Sequence, residues 1–320
     1  MIPFLLKPPI KDYIWGGTRL RDEFGKESDL ERLAESWELS CHHDGESVIS
    51  GGEFEGMTLT ELIKLHPEVI GGNAARFEYF PVLIKLIDAR DNLSVQVHPD
   101  NEYALRVEGE YGKTEMWYIV DCEEGAELIY GFKEEISKEQ FRRAVEENAL
   151  LKYVNKVPVK KGDVFFIKSG TLHAIGKGIL IAEIQQNSNT TYRVYDYGRV
   201  GADGKPRQLH IEKAIEVTTL TPAPEQSPAK ISRIGNELAV QKLAECEYFT
   251  VRKFDINGGQ LHLDSLNSSF QHILVIDGEG ELFCGEKRLF PIKKGSSVFV
   301  PAGADACYIN GNCSIIITTV

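Results

Sequence analysis

The sequence lacks several features that would assign it to a special class of protein. Its uninterrupted apolar runs stay well short of the ~18 residues that a membrane-spanning helix needs, so we expect no transmembrane segment. The opening residues, MIPFLLKPPIKDY, are broken by proline and lysine and do not have the pattern of a secretory signal. A formal net charge of −12 argues against nucleic acid or an anionic membrane as the main partner.

Cysteine pairs at CxxC spacing are also missing, although the chain has six cysteines. A cysteine-based zinc site is therefore not expected. Without an export signal, scattered cysteines predict reduced thiols and a cytoplasmic location. The chain has 320 residues, long enough for one large domain or two smaller ones. A hydrophobic core of that size does not need disulfide bonds to be stable.

Short strand-like runs separated by glycine turns dominate what is present, which predicts a mainly β fold with a few short helices. Thr58 begins a helical pattern that runs to Val69. Ser137 and Gln140 have the spacing of a capping box, and an apolar stripe follows them, so we expect a helix over about 137–150. Prolines after Leu220 predict a linker over 221–236.

Candidate metal ligands are concentrated between Leu93 and Tyr118 and in one later strand. Gln96 and His98 are two residues apart, so on a strand both side chains project to the same face. Glu115 opens a second strand-like run, and His173 ends a third. Two imidazoles, a carboxylate and an amide oxygen on facing strands can hold one divalent ion.

The segments that carry Glu115 and His173 each have a second copy further along the chain. Residues 162–173 and 295–306 share a glycine, an apolar centre and a second glycine at the same spacing, and residues 115–121 parallel residues 271–277. The second copy has glutamine in place of Glu115 and alanine in place of His173. This repeat predicts two copies of one small β-barrel, with metal ligands kept only in the first.

These motifs resemble those of the cupin superfamily and, within it, the shorter bacterial form of the type I phosphomannose isomerases. Residues 162–173 match the pattern G-x5-P-x-G-x2-H except for Lys168, and Gln-x-His-Pro followed by Lys-x-Glu is similar to the isomerases. Further similar stretches are Tyr13–Gly16, Glu35–Glu38, Phe80–Lys85 and Asn189–Arg193.

The resemblance implies two cupin-type β-barrel (jelly-roll) domains. Residues 1–220 would form the catalytic domain, with a small helical insertion at about 137–150, and residues 237–320 would form a degenerate one. It implies interconversion of mannose 6-phosphate and fructose 6-phosphate through a cis-enediol. It also implies one zinc ion per chain, held by Gln96, His98, Glu115 and His173.

The resemblance further implies catalytic roles for Arg193 and Lys113. A guanidinium suits stabilisation of a growing enediolate charge better than the role of a neutral base. Lys113 lies two residues before Glu115, so on a strand it shares the face of that carboxylate and is a candidate acid or base. Longer members of the family have histidine before this lysine; this chain has Gly112.

Candidates for substrate binding are Lys85, Glu183 and Glu35. Lys85 lies in an apolar strand-like run, so a buried partner or the substrate phosphate must satisfy its charge. An anionic sugar phosphate would also need a local cluster of lysine and arginine in so acidic a protein. We expect either a monomer or a homodimer.

Two other functions fit part of the pattern. A non-catalytic, metal-containing sugar-binding or regulatory cupin would need the four ligands but not Lys113 and Arg193. An iron-containing oxygenase of cupin type would usually offer more imidazoles, and the amide of Gln96 counts against it.

Overall fold

The computed structural model describes residues 1–201, 204–226, 231–264 and 266–320. The chain divides into two compact units. The first unit contains Met1–Lys11, Thr18–Leu86 and Pro228–Val320, and the second contains Asp12–Gly17 and Ile87–Ser227. This grouping differs from the domains expected above, 1–220 and 237–320, which remain a prediction. Part of the expected linker, residues 227–230, lies outside the described residues.

Strands dominate both units, which confirms the mainly β architecture. In chain order the strands are β1 (Phe4–Lys7), β2 (Ile10–Lys11), β3 (Glu35–Leu39), β4 (Cys41–His42), β5 (Gly45–Glu46), β6 (Val48–Ser50), β7 (Val82–Ala89), β8 (Val95–Val97), β9 (Glu115–Cys122), β10 (Glu127–Phe132), β11 (Val154–Pro158), β12 (Val164–Ile167), β13 (His173–Ala174), β14 (Ile179–Gln186), β15 (Tyr192–Tyr195), β16 (Ile231–Ile234), β17 (Leu238–Glu245), β18 (Thr250–His262), β19 (Gln271–Cys284), β20 (Lys287–Lys293), β21 (Ser297–Val300) and β22 (Cys307–Thr319).

The helices are short and lie between the strands. They are α1 (Arg19–Asp22), α2 (Leu59–Leu65), α3 (Gly71–Ala75), α4 (Asn101–Val107), α5 (Lys138–Glu146) and α6 (Ile211–Val217), with 3₁₀ turns at Pro67–Ile70 and Leu150–Lys152. Over the described ranges, no helix is long and apolar enough to cross a membrane.

The helix expected over 137–150 is present as α5, which ends earlier, at Glu146, and its predicted capping box forms. The Ser137 side chain accepts from the backbone of Gln140, and the Gln140 side chain accepts from the backbone of Ser137. The helix expected from Thr58 to Val69 is shorter than predicted. It ends at Leu65 because Pro67 has no N–H to donate and its ring disfavours helical backbone at the residue before it.

In the second unit, strands follow the order β11-β10-β13-β8-β15, and β9 lies between β12 and β14. Val95 and Val97 of β8 are buried in an apolar core with Phe141 and Ala144 of α5. The opposite face of β8 is therefore left for Gln96, as the alternation of side chains on a strand requires.

In the first unit, most strands form one antiparallel sheet in the order β16-β17-β18-β22-β19-β21-β1-β6, with β20 paired to β19. Its apolar core contains Ile273, Val275, Val298 and Ile315.

The repeat is confirmed by strand pairing. Ile167 pairs with Glu115 across β12 and β9, and Val300 pairs with Gln271 across β21 and β19, which are equivalent positions of the two copies. Where β9 pairs with β14, the register slips by one residue at Val120. Where β19 pairs with β22, it slips by one residue at the equivalent position, Ile276. A shared bulge is a position-specific feature, so chance similarity of glycine turns does not explain it.

The expectation that all six cysteines are reduced thiols is wrong for one pair. Cys284 and Cys307 form a disulfide. They are directly opposite each other where β19 and β22 pair, with Cα atoms 4.1 Å apart. Their separation of 23 residues matches no short cysteine motif, so only the register of the two strands brings them together.

Candidate metal centre

Three of the four predicted ligands meet inside the second unit. His173 Nε2 lies 3.3 Å from Glu115 Oε1, and His98 Nε2 lies 3.7 Å from Glu115 Oε2. One donor atom from each of the three residues lies within 4.8 Å of the others. Their side chains are at most 1% exposed, so this is an interior site and not a surface cluster.

Gln96 joins these residues through the pairing of β8. It is directly opposite His173 on β13, and its Nε2 lies 3.5 Å from His173 Nε2. The oxygen and nitrogen of a side-chain amide exchange places on a half-turn, and the oxygen is the atom that a cation binds. The predicted set of Gln96, His98, Glu115 and His173 is therefore brought together.

Backbone carbonyls fix which ring nitrogen of each histidine carries the proton. His98 Nδ1 lies 2.9 Å from the carbonyl oxygen of Thr190, and His173 Nδ1 lies 2.8 Å from that of Thr171. A carbonyl can only accept, so each Nδ1 is protonated and each Nε2 presents a lone pair. Burial also lowers the pKa of His173 to about 4, which keeps this imidazole neutral at pH 7.

The donor set suits a small divalent cation. Two imidazole lone pairs converge on a carboxylate in the interior, and a positive charge between them balances the burial of that carboxylate. For zinc bonds of roughly 2.1 Å, neighbouring ligands of a tetrahedron lie roughly 3.4 Å apart. His173 Nε2 lies 3.3 Å from Glu115 Oε1, close to that spacing, and His98 Nε2 lies 3.7 Å from the other oxygen, Oε2.

Lys113 and Glu183 lie beside these residues. The Lys113 Nζ is 3.2 Å from Glu115 Oε2, and its side chain is almost fully buried. Glu183 is directly opposite Trp117 across β14 and β9, and its Oε1 accepts from the indole N–H at 2.9 Å. The ring of Trp117 in turn packs edge-on against His173, with centroids 5.3 Å apart.

Arg193 lies on the same face of the sheet as two of the predicted ligands. It is directly opposite Gln96 across β15 and β8, and Gln96 is opposite His173 on its other side. Residues that pair in an antiparallel sheet project to the same face, so the three side chains form a row. The guanidinium also donates to Ser94 Oγ and to the carbonyl of Gln208.

Two of the predicted substrate-binding residues, Lys85 and Glu35, lie in the first unit. Lys85 Nζ is 3.4 Å from Glu35 Oε2, and Glu35 also accepts from the indole N–H of Trp37 at 2.7 Å. Of the two ways to satisfy Lys85 that the sequence leaves open, the structure supplies a buried partner. Lys85 also lies over the ring of Trp37, 5.1 Å from its centroid.

Comparison with known proteins agrees with this geometry. Residues 4–130 match the family model of the type I phosphomannose isomerase catalytic domain, and residues 239–320 match that of the mannose-6-phosphate isomerase cupin domain. The mannose-6-phosphate isomerase ManA of Bacillus subtilis is 42% identical over 319 residues, which is 99% of this chain and 98% of the relative. The chain belongs to the type I phosphomannose isomerase family. The cupin-type fold is thereby confirmed.

Other isomerases of this family are similarly close. The mannose-6-phosphate isomerase of Streptococcus mutans is 41% identical and covers 98% of this chain and 97% of its own length. A crystal structure of the mannose 6-phosphate isomerase from Bacillus subtilis matches with a TM-score of 0.93 and 38% identity, over all of both chains. The family relationship therefore spans both units.

Sequence reasoning missed a cluster of arginines beside Arg193. Asp196 accepts from Arg199 and, through both carboxylate oxygens, from Arg207. Burial raises the pKa of Asp196, but the hydrogen bonds from Arg207 and Arg199 outweigh it and hold that pKa below its usual range. Burial, followed by the nearby charge of Arg207, lowers the pKa of Arg193. Three guanidiniums with one carboxylate give this part of the second unit a local excess of positive charge.

A second missed element is the loop that orients His98. The Glu110 carboxylate accepts from Ser188 Oγ, from the backbone N–H of Asn189 and from Thr190 Oγ1, at 3.1–3.3 Å. These bonds hold the carbonyl of Thr190 against His98 Nδ1. The polar run before Arg193 was a signal in the sequence, but its partner Glu110 is about 80 residues away.

Proposed function

We propose that the protein is a metal-dependent mannose-6-phosphate isomerase that holds one zinc ion per chain on Gln96, His98, Glu115 and His173. The observation that carries the proposal is the convergence of three buried donors, with Gln96 next to them, beside Lys113 and Arg193. When bound, zinc would act as a Lewis acid toward the sugar oxygens and hold the sugar in place.

The reaction moves hydrogen between adjacent carbons. A proton leaves C2 of mannose 6-phosphate and a proton is returned to C1, while the hydroxyl proton passes between O1 and O2, through a cis-enediol. Negative charge grows on both oxygens in the transition state, so a fixed cation beside them stabilises it. We assign that role to Arg193, whose position opposite Gln96 puts its charge on the face of the ligands.

Proton transfer needs a group that is held close to the sugar and can both donate and accept. Lys113 has that position, 3.2 Å from the ligand Glu115. We assign sugar hydroxyl contacts to Glu183, whose carboxylate already accepts from Trp117. Arg199 and Arg207, which share Asp196 next to Arg193, are the natural partners of the phosphate.

Lys85 and Glu35 are retained as predicted substrate contacts. Their mutual ion pair gives each of them a structural role as well. Substrate titration of Lys85→Met tests the first of these assignments.

Turnover separates this proposal from a metal-containing sugar-binding or regulatory protein. Wild-type protein with zinc should interconvert mannose 6-phosphate and fructose 6-phosphate, and Arg193→Ala should lower kcat at least 100-fold while zinc content is unchanged. The matched control is Arg252→Ala, an arginine of the first unit that is about half exposed beside Asp264. Metal-loaded wild-type protein that binds the sugar phosphate without turnover would overturn the enzymatic proposal.

A further inference from the structure

The segment that carries Lys113 is held by two side-chain amides from elsewhere in the second unit. The N–H of Gly112 donates to Asn101 Oδ1 at 2.8 Å, and the N–H of Thr114 donates to Gln186 Oε1 at 2.9 Å. The two amides are themselves joined, because Gln186 Nε2 donates to the same Asn101 oxygen at 2.8 Å. Asn101 is the first residue of α4, and Gln186 is the last residue of β14.

Backbone hydrogen bonds also fix residues 112–114. The N–H of Lys113 donates to the carbonyl of Pro99 at 3.0 Å, and the carbonyl of Thr114 accepts from the N–H of Gln186 at 3.1 Å. Every backbone N–H of residues 112–114 therefore has an acceptor, although the segment lies outside the regular strands. Two of those three acceptors are the amide side chains of Asn101 and Gln186.

Gly112 shows how closely this segment is packed. A Cβ at this position would lie 2.3 Å from the carbonyl carbon of Asp100 and 2.5 Å from the backbone nitrogen of Asn101. Both atoms belong to the backbone at the start of α4, so they do not move aside as a flexible side chain would. The chain therefore has no room for a side chain at the position before Lys113.

We propose that Asn101 and Gln186 are positioning residues that fix Lys113 at the metal centre. They act on the backbone on each side of the lysine. The inference rests on the proposed function, because it assigns the lysine a part in turnover. It predicts that these amides influence kcat through Lys113 and leave metal binding intact.

The decisive experiment is a double-mutant cycle. Asn101→Ala and Gln186→Leu are each made in the wild type and in Lys113→Met, and kcat, KM and zinc content are measured with mannose 6-phosphate. In the wild-type background kcat should fall about 10- to 100-fold, as expected when a reacting group is misplaced by about 1 Å, with KM changed much less. In the Lys113→Met background the same substitutions should cost almost nothing further.

A conservative variant and a control sharpen the cycle. Asn101→Asp keeps an acceptor oxygen for both donors and should keep most of the wild-type kcat. Gln226→Leu is the matched control, because Gln226 also accepts from a backbone N–H, that of Phe166 at 3.0 Å, and also donates to a side chain, that of Tyr130. It should leave kcat unchanged.

The outcomes are distinguishable. Equal losses in both backgrounds, or loss of zinc from the Asn101→Ala variant, would overturn the inference, because the amides would then act on something other than Lys113. If Gln186→Leu does not accumulate as folded protein, Asn101→Ala decides alone, since alanine is well tolerated at the start of a helix. Absence of turnover in the zinc-loaded wild type would instead refute the proposed function.

Discussion

A buried ion pair in the first unit offers the sharpest test of the packing described here. Lys26 Nζ lies 2.7 Å from Glu38 Oε2 and donates to the carbonyl of Gly295 at 2.6 Å. The Glu38 side chain is fully buried, and its other oxygen accepts from Ser36 Oγ. Lys26→Met preserves the apolar stem and removes only the charged donor, so Glu38 is left as a buried carboxylate without its counter-ion.

The expected cost follows from that burial. Removing one partner of a buried ion pair typically destabilises a protein by about 3–5 kcal/mol. In a compact unit of this size each kcal/mol corresponds to about 2–4 °C in Tm, so Lys26→Met should lower Tm on the order of 10 °C. The double variant Lys26→Met with Glu38→Leu removes the stranded charge and should recover most of that loss.

Differential scanning calorimetry of the wild type, the two single variants and the double variant measures these differences. Lys294→Met is the control, because its ion pair with Glu23 is about one-third exposed and should contribute less than about 1 kcal/mol. A fall of less than about 2 °C for Lys26→Met would mean that the pair is hydrated in solution and not buried as described.

Three further predictions concern pH and substrate. Burial, followed by the charge of Lys26, lowers the pKa of His272 from 6.5 to about 3, so the folded protein holds this ring neutral. The stability that the neutral ring contributes is therefore lost as pH falls from about 6.5 toward 3. In His272→Phe the dependence of Tm on pH over that range should be shallower, and an unchanged slope would contradict this prediction. Arg199→Ala should raise KM for mannose 6-phosphate about 10-fold or more with zinc content unchanged, as loss of a charge-assisted hydrogen bond to phosphate requires, and an unaltered KM would exclude that contact. Lys85→Met should raise KM for mannose 6-phosphate in substrate titration. If the variant lowers Tm but leaves KM unchanged, Lys85 does not contact the substrate and serves only in its ion pair with Glu35.

Strand positions and the residues that gather at the candidate metal centre were predictable because local patterns encode them. Alternation alone puts Gln96 on the face opposite Val95 and Val97, and the structure buries those two valines as expected. The repeat was visible in short motifs, and the strand registers that carry Glu115 and Gln271 agree with it.

What escaped prediction depends on contacts between distant parts of the chain. Cys284 and Cys307 become neighbours only through the register of β19 and β22, and no spacing rule connects them. Glu110 finds its partners in a loop about 80 residues later, and Asn101 meets Gln186 across 85 residues. Single residues of this kind have no periodic signal, so their roles follow only from the fold.

The proposed function requires that the four donors Gln96, His98, Glu115 and His173 bind one zinc ion on which activity depends. The most direct measurement is the metal content of purified protein by atomic emission, combined with turnover before chelation, after chelation and after zinc is restored. We predict one zinc per chain, loss of turnover on removal, recovery on addition, and loss of most zinc in His98→Ala but not in the exposed control His262→Ala. Full turnover at a metal content near zero, or full zinc content in His98→Ala, would contradict the account.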